Sequence, residues 1–256
     1  MFDYTGRCVL VTGGTRGVGR GLAERFLQAG ADVAICGRRP PDALPTHSGR
    51  EAAFFAADVR DAASVAALVA AVVERFGRLD VLINNAGGSP PADAATVSPR
   101  FTAAIIALNL TGPMLVSQAA NRVMQRQESG GAIVNIASVS GVRPSPGTAA
   151  YGAAKAGLLS ATTSLAVEWA PKVRVNAVTA GMVRTEQAAL HYGDEAGIAR
   201  AAATVPLGRL ATPGDVADAC MFLASPAASY VSGASLLLHG GGERPAFLDA
   251  VTEKKS

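Results

Sequence analysis

The stretch RCVLVTGGTRGVGRGLAERFL, Arg7 to Leu27, decides how the rest of the chain is read. An apolar, partly β-branched run passes through a glycine-rich turn into residues that favour a helix, which is how a βαβ unit begins. Gly13 can take a positive φ for the turn, Gly17 leaves backbone N–H groups open to an anion, and Gly19 lets the helix lie close to the strand. The spacing is G-x-x-x-G-x-G instead of G-x-G-x-x-G, and tight packing alone can also demand glycine.

Outward from this unit, short apolar runs alternate with longer Ala-rich ones to the end of the chain. The pattern predicts strands near 7–12, 32–37, 53–57, 79–84, 131–137, 173–178 and 234–238, and helices near 17–29, 61–76, 99–126, 151–170 and 213–224. Runs such as VLINN and AIVNIAS are apolar throughout, as parallel strands covered on both faces should be. The expected fold is α/β: a single-domain, Rossmann-type doubly wound sheet of about seven parallel strands with helices on both faces. No linker or repeat divides residues 1–256, so one dinucleotide-binding domain is expected, with a mobile lid at 184–207 and a C-terminal tail at 246–256.

Composition narrows the function classes. A chain of 256 residues with 49% hydrophobic and 17% charged residues is globular and not disordered. Its net charge of +3, with basic residues scattered, gives no footprint for nucleic acid. Cys8, Cys36 and Cys220 are far apart and form no CxxC, so neither disulfides nor a thiolate metal site is expected, and a reducing cytoplasm fits. His47, His191 and His239 lack metal-ligand spacing and read as surface or loop residues. MFDYTGRCVL is wrong for a signal peptide, and the uncharged stretches 101–121 and 219–242 are interrupted by polar residues, proline and glycine. They suit buried packing or subunit contact better than a membrane. The apolar faces of 101–121 and 156–167 predict a homodimer or homotetramer.

The second strand ends at Gly37, Arg38 and Arg39, where an NAD site would place a carboxylate for the ribose 2′-hydroxyl. Arg38 offers a planar fork to a 2′-phosphate, Arg16 can approach from the glycine turn, and NADP(H) is therefore expected over NAD. Asp58 is placed to accept from an adenine amino group, or equally to cap the helix beginning near Asp61.

Tyr151 and Lys155 are four apart at the start of a predicted helix and so share one face. A nearby ammonium and a cationic oxidised nicotinamide both favour a phenolate and draw an ordinary pKa of about 10 towards working pH. Ser138 ends a strand 13 residues earlier, and its hydroxyl can polarise a substrate oxygen. Pro113 has no N–H to give the carbonyl of Asn109, which leaves that oxygen open to a water.

With NNAG at 84–87, Asn109, Ser138, Tyr151, Lys155, Asn176 and TAGMVRT at 179–185 in this order, the chain resembles the short-chain dehydrogenase/reductase family over almost its whole length. Its layout is also similar to 3-oxoacyl reductases. The resemblance implies a carbonyl reductase or alcohol dehydrogenase with Asn109, Ser138, Tyr151 and Lys155 as the catalytic set and Tyr151 as acid/base. Lys155 would also bond the nicotinamide ribose, and a water would link Asn109 to Lys155. It implies cofactor contacts from Gly13, Thr15, Arg16, Gly17, Val18 and Gly19, from Val59 beside Asp58, and from Asn85, Ala86 and Gly87 in the cleft. Gly181, Val183 and Thr185 would meet the pyrophosphate and carboxamide. Ala180 replaces the family's usual proline, which removes a fixed φ at the start of the lid.

The expected substrate is a ketone or secondary alcohol, with 3-oxoacyl thioesters and steroid, sugar and quinone ketones all open, in a mainly aliphatic pocket of Val139, Ser140, Val142, Arg143, Met182 and the lid, with Tyr192 as its main aromatic. A catalytically silent NADP-binding sensor or scaffold is the alternative, although such a protein has no need to keep both Tyr151 and Lys155. A methyltransferase on the same sheet would have no use for the Ser, Tyr and Lys set.

Overall fold

Alternation along the strands sorts the core into two layers. In the first strand Val9 and Val11 face one side while Cys8 and Leu10 face the other, and all four are buried. The computed structural model describes residues 2–245, 247 and 248. It has seven strands in the main sheet: β1 Cys8–Thr12, β2 Asp32–Gly37, β3 Ala53–Ala56, β4 Val81–Asn84, β5 Gly131–Ser138, β6 Val173–Ala180 and β7 Ser235–Leu238. Every pairing is parallel, in the order β3-β2-β1-β4-β5-β6-β7. The order reverses between β1 and β4, which opens a crevice beyond their carboxyl ends.

The eight helices among the described residues are α1 Gly17–Gln28, α2 Ala62–Phe76, α3 Pro99–Ile106, α4 Gly112–Met124, α5 Ala149–Glu168, α6 Ala189–Tyr192, α7 Glu195–Ala203 and α8 Pro213–Ala224. Leu22, Phe26 and Leu27 of α1 and Val216 and Cys220 of α8 cover one face of the sheet. Val65, Leu68 and Val72 of α2 and Val116, Ala120 and Met124 of α4 cover the other. Burial of this kind stabilises by about 1.5–3 kcal/mol per large aliphatic side chain. All seven predicted strands are present.

Several sequence expectations need correction. The predicted helix at 99–126 is interrupted: residues 107–111 form a π-type turn in which the Gly112 N–H reaches back to Ala107 O. Pro113, unable to donate, sits where the register slips, and such a turn is the usual accommodation. By length and composition Pro99–Met124 could cross a membrane, but 44% of its most apolar window is buried inside the fold. Asp61 caps α2 by accepting from the Ser64 N–H at 2.9 Å, so Asp58 does not. The segment 184–207, where the sequence pattern predicts no helix, contains α6 and α7, and Asp194 accepts the Gly197 N–H at the start of α7. Ala180 does not loosen the lid's start, since β6 continues through it, paired with Ser138 and Leu238. A two-residue hairpin, Thr46–His47 with Arg50–Glu51, is also present. Most of the proposed tail and the side chain of His191 lie outside the described residues.

Candidate active site

The glycine turn is held by contacts that leave no room for side chains. Gly13 has φ +65°, and a Cβ on Gly19 would lie 2.2 Å from Gly13 O and 2.5 Å from Asn85 Nδ2. Asn85 uses that amide to donate to Thr12 O at 2.9 Å, and its own N–H donates to Thr12 Oγ1 at 3.0 Å. Its side chain therefore braces the turn. Thr15 packs near Gly37, and Val18 packs against the core.

At this turn the Gly17 N–H donates to Glu186 Oε1 at 2.8 Å, and a Cβ on Gly17 would lie 3.8 Å from Thr185 Cγ2. The N-terminus of α1 thus accommodates an anion, the Glu186 carboxylate, in this structure. Glu186 was not singled out from the sequence, because a glutamate in a lid carries no signal of the distant turn it meets. Val183 bridges to Ala211, with the Arg184 N–H donating to Ala211 O at 2.8 Å, which ties both ends of the lid together.

Beyond β2, Arg38 and Arg39 are exposed, as is Arg16 at the N-cap of α1, and none of them makes an ion pair among the described residues. Asp58 is held by Arg60, through Nε at 2.9 Å and Nη2 at 2.5 Å. This pair, with Arg38 contributing less, holds the Asp58 carboxyl down at about 2. The side chain of Val59 packs in the core over Gly112.

Ser138 ends β5, and its Oγ accepts from the Ser140 N–H at 3.2 Å. Tyr151 lies in the first turn of α5, with its phenol in hydrogen-bonding reach of Ser138. The buried Lys155 places its Nζ 5.6 Å from the centroid of the Tyr151 ring and donates to Ile136 O at 2.7 Å. Ser138, Tyr151 and Lys155 thus lie together. Burial raises the Tyr151 phenol in the protein alone, with the Ser138 hydrogen bond opposing it, and Lys155 is pulled down by burial to about 8.

Asn109 is fully buried and acts through its side chain: Oδ1 accepts the Gly88 N–H at 2.8 Å, and Nδ2 donates to Gly88 O and Ile105 O. It pins the loop after β4 to the π-type turn. A Cβ on Gly87 would lie 2.7 Å from Asn109 Oδ1 and 3.4 Å from Lys155 Nζ, so Ala86 and Gly87 pass close to the lysine. Behind the site, Asn84 Nδ2 donates to Ser117 Oγ and Asn135 Oδ1, and Asn135 Nδ2 donates to Thr162 Oγ1, locking β4, β5, α4 and α5 together. Asn176 donates to Val231 O and accepts from the Ala234 N–H, which guides the chain into β7.

A cavity of about 360 Å³ opens at Val139, the residue after Ser138, lined by Val139, Val142, Arg143 and Met182 of the residues expected from the sequence, while Ser140 and Tyr192 are not among its lining residues. It is completed by residues the sequence did not single out: Val205, Leu207 and Arg209 beyond α7, and Leu237, His239 and Glu243 at the end of β7. His239, read from the sequence as a surface or loop residue, lies partly exposed in the turn after β7 and lines this cavity. The lid's Tyr192 lies near enough to Tyr151 and Glu243 that their charges, after burial, raise its phenol.

The family model described as enoyl-(acyl carrier protein) reductase matches residues 13–243. A 3alpha-hydroxysteroid dehydrogenase of Mediterraneibacter gnavus is 36% identical, over 91% of this chain and 96% of the relative. A D-threitol dehydrogenase of Mycolicibacterium smegmatis is 37% identical over 94% of each chain. A solved short-chain dehydrogenase/reductase of Serratia marcescens, a double mutant, superposes with a TM-score of 0.84 at 30% identity, covering 93% of this chain and 98% of that one.

Proposed function

This chain belongs to the short-chain dehydrogenase/reductase family of oxidoreductases, and from that premise we propose that it uses NADP(H) to interconvert a ketone and a secondary alcohol, with Tyr151 as acid/base. The observation that carries this reading is the meeting of the Ser138 hydroxyl, the Tyr151 phenol and the Lys155 ammonium beside a glycine turn that already holds a carboxylate.

The turn from Gly13 to Gly19, with Thr15, Arg16, Gly17 and Val18, would hold the pyrophosphate together with Thr185. Asp58 and the backbone of Val59 would meet the adenine, and Ala86, Gly87, Gly181 and Val183 the nicotinamide half. Asn85 would act by bracing the turn. When bound, the nicotinamide supplies or accepts hydride at the carbinol carbon. In the reducing direction the Ser138 hydroxyl donates to the carbonyl oxygen and Tyr151 gives that oxygen its proton; in oxidation Tyr151 removes the hydroxyl proton. Because burial raises the phenol in the protein alone, its acidification needs both the Lys155 ammonium and the positive charge of an oxidised nicotinamide. Lys155, lowered to about 8, stays mostly protonated at neutral pH and can hold that charge. Asn109 would position the Gly87–Gly88 loop against Lys155. Exposed Arg38, Arg39 and Arg16, with no carboxylate at the end of β2, support the 2′-phosphate of NADP(H) over NAD.

Relatives named for a 3α-hydroxysteroid and for D-threitol leave the substrate wide within this chemistry. We further infer one domain over residues 1–256, a cytoplasmic location and a homodimer or homotetramer. The outer face of α5, with Ala153, Ala156 and Val167 exposed, is the surface such an assembly would cover. A panel of ketones followed at the reduced-nicotinamide band tests the central reading. Tyr151→Phe should lower kcat by about 10²–10⁴-fold with NADPH affinity unchanged. Turnover that survives the substitution overturns the role of Tyr151, and NADPH binding without turnover of any ketone by the wild type favours the sensor.

A further inference from the structure

The cavity that opens at Val139, next in the chain to Ser138, has two kinds of wall. Val142, Leu207 and Leu237 line it while remaining 60%, 70% and 48% exposed, an unusual cost for three aliphatic side chains around one opening. The charged groups on the same wall are already engaged with one another. Arg143 donates to Glu243 and to Pro144 O, and Arg209 grips Asp215 through both terminal nitrogens at 2.7 and 2.8 Å. Asp215 also accepts from Thr212. The His239 imidazole, by contrast, makes no hydrogen bond among the described residues and lines the cavity at the carboxyl end of β7.

We propose that this cavity takes an alicyclic or aliphatic ketone, or the matching alcohol, with an apolar body and one distal polar group bonded to His239, and that it rejects ketoses and polyols. The proposal rests on the oxidoreductase reading above and adds the substrate class. An apolar body would remove Val142, Leu207 and Leu237 from water. A ketose would set several hydroxyls against the aliphatic side chains of Val142, Leu207 and Leu237, and each hydroxyl left unpaired costs affinity. One polar group is the exception, because His239 can meet it. Both arginines lining the cavity are paired with carboxylates, Arg143 with Glu243 and Arg209 with Asp215, so neither is left to draw in an anionic substrate.

The test compares 2-decalone, a decalone carrying a distal hydroxyl, and the four-carbon ketose erythrulose. kcat/KM for 2-decalone should exceed that for erythrulose by about 100-fold, as two or three unpaired hydroxyls would dictate. His239→Leu should erase the advantage of the hydroxylated decalone, read as the ratio of its kcat/KM to that of plain 2-decalone in each protein; a ratio unchanged by the substitution overturns the role of His239. Leu207→Asp should weaken 2-decalone by about tenfold or more, through KM, with NADPH affinity unchanged. Binding to the NADP⁺-loaded Tyr151→Phe protein, measured by calorimetry, separates the two layers of the argument. Decalone that binds there, and is not turned over by wild type, removes the catalytic reading and supports the substrate class. Erythrulose binding as well as decalone, or decalone binding unmoved by Leu207→Asp, overturns the substrate class whatever happens to turnover.

Discussion

The glycine turn, proposed here as the cofactor end, and the cavity at Val139, proposed as the substrate end, are built in opposite ways. Around Gly13 and Gly19, backbone packs on backbone, and a single added methyl group would meet a carbonyl at 2.2 Å. Around the cavity, side chains from β7, the β5–α5 loop and the residues beyond α7 converge, and several stay half exposed. The first region has almost one solution for its residues. The second tolerates many, which suits a scaffold whose relatives are named for substrates as unlike as a hydroxysteroid and a tetritol.

The sharpest way to break this contrast is to overfill the rigid end. Gly19→Ala should cost about 3 kcal/mol or more of stability and abolish tight NADPH binding, measured by denaturant unfolding and dinucleotide titration. A tolerated methyl would mean that the turn is not close-packed.

Lys155 tests the boundary between the two ends. Its folded pKa of about 8 lies below the ordinary lysine value of 10.5, so the unfolded chain binds more protons between those values. Stability of the cofactor-free protein should therefore rise with pH across that window, by up to about 3 kcal/mol from this group, with the penalty fully present below pH 8. Lys155→Met should remove that part of the slope, read as Tm against pH for both proteins. Equal slopes would place the ammonium in a better solvated setting.

A smaller effect probes the exposed rim of the cofactor end. Arg38→Asp should lower the preference for NADPH over NADH by about 10–100-fold, as the loss of a charge-assisted hydrogen bond implies. An unchanged ratio would leave the 2′-phosphate to Arg16 or Arg39. The smallest change concerns Glu186, which crosses from the lid to the rigid turn. Glu186→Gln should tighten NADPH binding by about two- to fivefold, because a neutral amide competes less with phosphate at the N-terminus of α1. Weaker binding would show instead that the carboxylate helps to hold the lid over the cofactor.

Tyr151, Lys155 and Ser138 are legible in the sequence because helical spacing and a strand end place them by local rules. Glu186, Arg60, Leu237 and His239 are not, since each gains its meaning from a partner or wall that its immediate sequence does not announce. Asn109 lies in between: Pro113 announces an irregular helix, but not that the amide holds Gly88.

By itself the sequence determined the seven parallel strands, the two-faced core and the place of the glycine turn, because periodicity and glycine content act on neighbouring residues. Only the tertiary structure decided that burial raises the Tyr151 phenol, that the Glu186 carboxylate meets the Gly17 N–H, and that His239 lines one cavity with Val142, Leu207 and Leu237. Desolvation and convergence depend on what the folded chain brings within a few ångströms, and no local pattern encodes them.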